Sequence, residues 1–141
     1  MIIDDSWDKK NGSTILIEGE LLEEVRSEYQ HIEVYDTKRF GKLLKLDGVI
    51  QLTEDGGAVR EILKHKRVKN IDLVEIDNEV IKISKKYFPE ISSGLEDSKV
   101  TIMNQDGAEY IKKCTNLYDV IIIDSTDPFS VGESLFKEEF Y

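Results

Sequence analysis

Acidic side chains that follow short apolar runs are the residues in this sequence best suited to chemistry. Glu75 and Asp77 close one such run, Asp106 follows a second, and Asp124 follows a third. If the runs are parallel strands, their carboxyl ends meet at one edge of a sheet, which is where open α/β folds bind ligands. Carboxylates that lie close together repel one another unless a ligand or cation offsets their charge. The pattern therefore predicts a ligand-binding crevice lined by acids.

Three of these acids also have purely structural interpretations. Glu75 could be an ordinary exposed acid, although the end of an apolar strand is where nucleoside-binding folds hydrogen-bond a ribose. Asp77 is placed to cap the helix that follows it. Asp106 and Gly107 together could form no more than a turn.

The segment after the third run has two possible roles. Asp124 is followed by Ser125, Thr126 and Asp127. Two acids three positions apart around small hydroxyl groups can form a helix N-cap, because they accept hydrogen bonds from the first free N–H groups. After a central strand, the same residues can instead form a pocket for an amine.

The histidines do not suggest a metal site. His31 and His65 stand far apart without the spacing of metal ligands, and Cys114 is the single cysteine. His65 follows an apolar stripe and is expected at the end of a helix. No metal is therefore predicted.

Periodicity after residue 54 predicts the elements that would position the acids. Helical stripes alternate with short apolar runs, which is the pattern of a doubly wound parallel sheet. The run at Tyr118–Ile123 is the most apolar and is expected to be a strand buried on both faces. The predicted strands are Ile71–Ile76, Val100–Met103 and Tyr118–Ile123, and the predicted helices are Gly57–His65, a helix capped by Asp77 and ending near Pro89, and Gly107–Cys114.

The first part of the chain has the pattern of a small antiparallel sheet. Asp47-Gly48 between two apolar runs is a strong hairpin signal, because glycine readily adopts the positive φ that such turns require. The segment Leu21–Tyr29 fits either a strand or a short helix. The predicted strands are Ser13–Glu18, Gln30–Tyr35, Gly41–Leu46 and Val49–Thr53.

Composition excludes several classes of partner. The chain has 141 residues, which suits one domain or two small ones, and its net charge is −10. Such acidity argues against nucleic acid and anionic membranes as partners, and no apolar run approaches the roughly 20 residues that span a bilayer. The acidic N-terminus lacks the features of a secretory signal, and one cysteine excludes an internal disulfide. A cytoplasmic protein is predicted.

A set of motifs runs through most of the chain from Ser27 onward, and in order and spacing it resembles spermidine synthases. Methyltransferases and dehydrogenases share the predicted sheet, but they do not combine DSTDP with YQ and LDGVIQ. The motifs are SEYQ (27–30), LDGVIQLTE (46–54), DGGAVREILKH (55–65), VEID (74–77), SKKYFPEISSGLED (84–97), DG (106–107), YDVIIIDSTDP (118–128) and LFKEEFY (135–141).

The resemblance implies a fold and a reaction. The fold is α/β, with a small N-terminal antiparallel β-domain at residues 1–54 and a Rossmann-like, class I methyltransferase-type parallel sheet at 55–141, here incomplete. The implied enzyme is an aminopropyltransferase of polyamine biosynthesis. It moves the aminopropyl group of decarboxylated S-adenosylmethionine, a co-substrate rather than a cofactor, to putrescine, and it forms a homodimer.

The resemblance also implies roles for single residues. Glu75 would bind the ribose hydroxyls of the donor and Asp106 its adenine amino group, with Gly107 allowing close approach of the backbone. Asp55 would hold the aminopropyl amine. Asp124 would be the catalytic base. The remaining implied contacts are Gln30 and Gln51 in the donor site, and Ser125 and Asp127, together with Asp124, at the acceptor amine.

One departure from the family pattern leaves alternatives open. Glu54 runs directly into Asp55, where the family has a helix and a strand, about 30 residues at the usual size of such units. We therefore expect the sequence to be part of a longer enzyme. The alternatives are a catalytically inactive binding or regulatory paralogue, a spermine synthase or a putrescine N-methyltransferase.

Overall fold

The computed structural model describes residues 1–52, 57–124 and 130–138. In chain order, the elements are β1 (Ile2–Asp4), α1 (Ser6–Lys10), β2 (Leu16–Arg26), β3 (His31–Thr37), β4 (Gly41–Leu46), β5 (Val49–Leu52), α2 (Ala58–Leu63), β6 (Ile71–Glu75), α3 (Asn78–Tyr87), α4 (Pro89–Ser92), a 3-10 helix (Ser93–Glu96), β7 (Val100–Asn104), α5 (Gly107–Lys113) and a second 3-10 helix (Ser130–Phe136).

The first five strands form one antiparallel sheet in the order β1-β2-β3-β4-β5. Asp47 and Gly48 connect β4 to β5 and both have positive φ, 48° and 84°. This left-handed backbone at both central positions matches the twist of the flanking strands, so the predicted hairpin is confirmed. The ambiguous segment after residue 20 continues β2 as a strand to Arg26, with an irregularity in register between Leu21 and Glu23.

The second sheet contains two described strands, β6 and β7, which pair in parallel from Ile71↔Val100 to Glu75↔Asn104. The connection between them contains α3, as expected for a right-handed crossover unit. Together with the antiparallel sheet, this pair of strands and its helices confirm the predicted fold class, an incomplete Rossmann-like sheet preceded by a small β-sheet.

Helix α3 packs against the antiparallel sheet and shares its core. Ile83 and Phe88 are each only 3% exposed. At the rim of this contact, Lys86 Nζ lies 2.6 Å from Glu23 Oε2 on β2. The sheet therefore acts as the packing surface for the helix that follows β6. The buried members of this cluster are Ile32, Val34, Leu44, Leu46, Ile83 and Phe88.

The apolar run Tyr118–Ile123 is not a strand, and the prediction of a doubly buried strand there is wrong. Val120, Ile121 and Ile122 are 72%, 61% and 58% exposed. A strand buried on both faces needs neighbours that supply backbone hydrogen bonds and side-chain cover. Among the described residues, β6 pairs only with β7, so this run has no adjacent strand.

The start of the run is held instead by its side chain. Tyr118 OH donates a 2.5 Å hydrogen bond to Asp72 Oδ2 on β6 and also contacts the hydroxyl of Tyr110 on α5. The bond to the Asp72 carboxylate raises the pKa of Tyr118. The segment is thus tethered to the parallel sheet at one point without joining it.

Within the described ranges, none of the helices is both long enough and apolar enough to cross a bilayer.

Candidate active site

Glu75 lies at the carboxyl end of β6, as the sequence predicts. Its Oε1 accepts a 2.8 Å hydrogen bond from the backbone N–H of Asp77. Burial raises the pKa of Glu75, and the negative charge of Asp77 adds to the increase, while hydrogen bonds from the N–H groups of Asp77 and Ile76 oppose it. The site therefore holds a carboxylate whose charge is poorly solvated, and groups of a ligand that donate hydrogen bonds would stabilise that charge.

Asp77 caps α3, as predicted, and has further contacts that the sequence did not reveal. Its side chain is 1% exposed. Oδ1 accepts a 3.0 Å bond from the N–H of Glu79, the capping interaction. Oδ2 accepts bonds from Ser27 Oγ at 2.6 Å and from Gln30 Nε2 at 3.0 Å. The carboxylate thus joins the loop between β2 and β3 to the end of β6.

Asp106 follows β7 and caps α5. Its Oδ1 accepts bonds from the N–H groups of Ala108 at 2.7 Å and Glu109 at 3.2 Å, so the Asp106-Gly107 pair is a helix start rather than a simple turn. Because Glu75 is in register with Asn104 in the parallel pair, Asp106 stands two residues beyond the same edge. The structure therefore brings Glu75 and Asp106 to adjacent strand ends.

Asn104 is a site-forming residue that the sequence analysis missed. Its Nδ2 donates to the carbonyl oxygens of Glu75 at 2.9 Å and Ile76 at 2.8 Å. These bonds join the end of β7 to the end of β6 and so fix the spacing of the two acid-bearing turns. The sequence feature that could have indicated this role is an amide side chain at the end of an apolar run, just before the Asp106-Gly107 pair.

The two glutamines predicted for the donor site have different surroundings. Gln30 is half-buried and bonded to Asp77, two residues from Glu75 along the chain. Gln51 is exposed on β5. Gln30 is therefore physically coupled to the strand-end acids, whereas the role of Gln51 stays a prediction.

Four predicted site residues remain: Asp55, Asp124, Ser125 and Asp127. Asp124 is exposed at the end of a described stretch that has no regular secondary structure. Asp55, Ser125 and Asp127 lie outside the described residues, so their roles stay predictions.

The described ranges contain no group of three or more His, Cys, Asp or Glu side chains that could hold a metal ion. A shallow open depression beside α2 is lined by Arg60, Lys64, Gly94 and Asp97 among others, and it includes none of the predicted site residues.

Known proteins give matches over nearly the whole chain. A family model described as spermine/spermidine synthase domain matches residues 23–141. Polyamine aminopropyltransferases of Alkaliphilus metalliredigens and Hydrogenobaculum sp. are both 40% identical to this chain, over 82% and 86% of its length. The matches cover 51% and 54% of those relatives, so the chain spans about half the length of the curated relatives it matches.

Solved structures give the same result. A crystal structure of spermidine synthase in complex with the transition-state analogue AdoDATO matches with a TM-score of 0.92 at 30% identity, covering 99% of this chain and 58% of that one. Spermidine synthase from Thermotoga maritima matches with a TM-score of 0.88 at 29% identity.

In these matches some positions of the relatives have no counterpart in this chain. The match to the Alkaliphilus relative spans 146 residues, whereas 82% of this 141-residue chain is about 116 residues. The match to a Clostridium botulinum relative spans 158 residues, against about 128 here. In both cases about 30 positions of the relative have no counterpart in this chain, which agrees in size with the helix-and-strand unit expected between Glu54 and Asp55. With its family model, its relatives and its fold in agreement, the chain belongs to the spermine/spermidine synthase family.

Proposed function

We propose that this chain carries the donor-binding part of a spermidine synthase. The enzyme would transfer the aminopropyl group of decarboxylated S-adenosylmethionine to putrescine, giving spermidine and methylthioadenosine. The observation that supports this most strongly is the position of Glu75 and Asp106 at adjacent ends of parallel strands, in a chain that superimposes on a spermidine synthase solved with a transition-state analogue.

The donor nucleoside would lie across these strand ends. The ribose hydroxyls would donate to the partly buried Glu75 carboxylate, which gains the hydrogen bonds that its surroundings supply poorly. Asp106 would meet the adenine amino group, and Gly107, without a side chain, would leave room for the ring. Gln30 and Gln51 would border the donor from the side of the antiparallel sheet.

Asp55 would select the decarboxylated donor. Ordinary S-adenosylmethionine carries a carboxylate beside its amine, whereas the decarboxylated form presents only the ammonium group there. An aspartate at that point attracts the ammonium and repels a carboxylate, so the same residue both favours one ligand and excludes the other.

Asp124 would start the reaction as a base. The acceptor amine is protonated at neutral pH and has no lone pair, so Asp124 would remove a proton before the nitrogen attacks. The nitrogen then forms a bond to the methylene carbon beside the sulfonium, the carbon–sulfur bond breaks, and its electron pair returns to sulfur to give the neutral thioether. Ser125 and Asp127 would hold the acceptor amine. This chemistry requires no cofactor, because the sulfonium is itself the leaving group.

A catalytically inactive binding paralogue is the second candidate, and two observations favour it. About 30 positions of the relatives have no counterpart here. The run Tyr118–Ile123, which leads directly to Asp124, belongs to none of the described strands, and its residues from Val120 onward are exposed. A base at the end of an unpaired segment is poorly fixed, and loss of positioning alone can lower a rate by large factors. Such a chain would bind methylthioadenosine without forming product.

Two related enzymes share the fold and differ in substrate. A putrescine N-methyltransferase would use the carboxylate-bearing donor, which Asp55 should disfavour. A spermine synthase would differ in the length of its amine pocket. Discrimination between them requires the acceptor and donor to be varied in the same assay.

We further propose a cytoplasmic homodimer. The single cysteine of the chain supports the compartment, because it fits a reducing environment. The end strands of the antiparallel sheet, β1 and β5, are the edges along which a second subunit would pair. Size-exclusion chromatography with light scattering measures the mass in solution and would give twice the chain mass.

Replacement of Asp124 tests the reaction, with Asp119 as the matched control, because it is an exposed acid of the same segment. Asp124→Asn should collapse turnover of putrescine while methylthioadenosine still binds, since the amide cannot accept the proton. Asp119→Asn should leave both unchanged. Full turnover in Asp124→Asn would refute the assignment of the base, and binding without turnover in the unaltered chain would favour the inactive paralogue.

A further inference from the structure

Gln30 is oriented by a buried carboxylate. Its Nε2 lies 3.0 Å from Asp77 Oδ2, and Asp77 is 1% exposed. An ionised carboxylate only accepts hydrogen bonds, so the amide nitrogen must be the atom that faces it. Because the amide group is planar, its Oε1 then points away from Asp77. The side chain thus presents an acceptor, not a donor, to whatever lies on its other side.

The loop that carries Gln30 is held by the same carboxylate. Ser27 Oγ donates to Asp77 Oδ2 at 2.6 Å. The same hydroxyl oxygen accepts from the backbone N–H groups of Tyr29 at 3.1 Å and Gln30 at 3.0 Å. The loop is therefore closed around Ser27, and the Ser27 hydroxyl in turn is fixed to Asp77.

Asp77 also links this loop to the predicted ribose-binding acid. Its backbone N–H donates to Glu75 Oε1 at 2.8 Å, while its side chain caps α3 through the N–H of Glu79. One residue therefore sets the position of Glu75 through its backbone and that of Gln30 through its side chain. One of these bonds leads to the parallel sheet and the other to the loop of the antiparallel sheet.

We infer that Asp77 is a positioning residue of the donor site, which fixes Gln30 so that Oε1 accepts a hydrogen bond from a hydroxyl or ammonium group of the donor. This inference rests on the proposed function, because it takes the ligand to be the nucleoside donor or its thioether product. Glu75 and Gln30 then form a pair of acceptors held by one residue, and ligands that offer donors to both are favoured.

Replacement of Asp77 by asparagine changes the orientation while sparing the cap. Asparagine is as good an N-cap as aspartate, so α3 keeps its first hydrogen bond. The new amide nitrogen, however, would replace the oxygen that accepts from both Ser27 Oγ and Gln30 Nε2, and two N–H groups cannot bond to each other. Gln30 is expected to rotate its amide, which turns a donor toward the ligand in place of an acceptor.

Exchanging the carboxylate and the amide between positions 77 and 30 should restore ligand binding. In the double variant Asp77→Asn with Gln30→Glu, the carboxylate and the amide trade places, and the net charge is that of the unaltered chain. The amide at position 77 can donate to the new carboxylate, whose second oxygen again presents an acceptor to the ligand. A role limited to capping α3 predicts no such rescue, because the cap is already intact in the single variant.

The matched control is Asp97→Asn. Asp97 Oδ1 accepts a 2.9 Å bond from the N–H of Lys99, two residues further on, as Asp77 does from Glu79, but in the turn before β7 and away from the loop at Gln30. Calorimetric titration with methylthioadenosine should show roughly tenfold weaker binding in Asp77→Asn, as for the loss of one hydrogen bond to the ligand. The double variant should recover most of that loss, and Asp97→Asn should bind as the unaltered chain does. Equal binding in Asp77→Asn and the unaltered chain, or no recovery in the double variant, would overturn the inference.

A second measurement is independent of any ligand. The side-chain amide protons of Gln30, followed by NMR in ¹⁵N-labelled protein, should shift strongly in Asp77→Asn and remain in place in Asp97→Asn. Unchanged Gln30 signals in Asp77→Asn would refute the positioning role. If those signals shift but the unaltered chain binds no methylthioadenosine, the orientation of Gln30 stands and the proposed function fails, so the two results are distinguishable.

Discussion

Replacing Glu75 with glutamine should weaken the binding of methylthioadenosine without weakening the fold. The carboxyl group is partly buried, and burial is the main reason that its pKa is raised. A raised pKa means that the folded protein stabilises the neutral form of the group relative to the charged form. Glutamine has nearly the same shape and carries no charge. We therefore expect Glu75→Gln to unfold at or slightly above the temperature of the unaltered chain at pH 8.

The expected loss of binding follows from the bonds that glutamine cannot make. A carboxylate accepts at both oxygens, whereas the amide of glutamine offers one acceptor and one donor. One of the Glu75 oxygens already accepts from the N–H of Asp77 at 2.8 Å. Hydrogen bonds to charged groups contribute about 1.5–3 kcal/mol, which corresponds to roughly ten- to hundredfold in Kd.

The raised pKa of Glu75 fixes the direction in which its contribution to stability changes with pH. Because the pKa of Glu75 is higher in the folded than in the unfolded chain, the folded chain holds this proton more tightly. The contribution of Glu75 to the free energy of unfolding therefore falls as pH rises from the unfolded pKa to the raised folded pKa, and is constant above that window. Binding has the opposite dependence, since ribose hydroxyls donate to the charged form. Affinity should fall as pH is lowered through the raised pKa, by up to tenfold per pH unit.

Glu61→Gln is the control, because Glu61 should affect the pH dependence of the free energy of unfolding in the opposite direction to Glu75. Hydrogen bonds from Lys64 and Arg60 lower the pKa of Glu61, so its contribution to stability is present above the unfolded pKa and is lost as pH falls. Thermal unfolding and calorimetric titration would be measured from pH 4 to pH 8 for the unaltered chain and both variants. A Glu75→Gln variant that is less stable by more than about 1 kcal/mol, yet binds normally, would contradict the account, since that pattern is the loss of a structural hydrogen bond.

Two further predictions concern the fold. Phe88→Ala should lower the free energy of unfolding by about 3–5 kcal/mol, because the ring is 3% exposed in the core shared by α3 and the antiparallel sheet. Urea unfolding measures this loss. The control is Phe40→Ala, which should lower the free energy of unfolding far less because Phe40 is 39% exposed. Gly19→Ala should lower the free energy of unfolding by about 1–3 kcal/mol, because a Cβ there would lie 2.8 Å from the carbonyl oxygen of Asp36 on β3. A loss below about 0.5 kcal/mol in the same assay would contradict this prediction and show that β2 can shift to accept the methyl group.

Local signals predicted much of this structure. The Asp47-Gly48 turn, the cap at Asp77 and the helix start at Asp106 all depend on hydrogen bonds or backbone angles within three residues of the signal. The strand at Ile71–Glu75 followed from its apolar pattern, and the acid at its end from its place in the order of elements. Features of this kind are encoded by neighbouring residues and are readable without the fold.

The errors and omissions depended on contacts between distant segments. The run Tyr118–Ile123 has a strand's composition, but composition does not reveal whether a neighbouring strand is present to pair with it. The bond between Gln30 and Asp77 spans 47 positions, and the bonds from Asn104 to Glu75 and Ile76 cross between two strands. Such contacts arise only once the register of the sheet and the packing of the loop are set.

The resemblance supplied roles that composition and periodicity could not. Glu75 and Asp106 were singled out by position alone, and the structure brings them to one edge of the parallel sheet. The assignments at Asp55, Ser125 and Asp127 rest on motifs whose residues lie outside the described ranges. Their test is therefore chemical, through the identity of the donor that is consumed and the amine that is extended.

The most direct test of the central claim is an incubation of the purified chain, its intact mass confirmed, with putrescine and decarboxylated S-adenosylmethionine. Mass spectrometry would measure spermidine and methylthioadenosine over time, and a parallel reaction would contain ordinary S-adenosylmethionine. We expect both products in equal amounts from the decarboxylated donor and none from the ordinary one. Absence of both products from a folded chain that also fails to bind methylthioadenosine would contradict the proposed function.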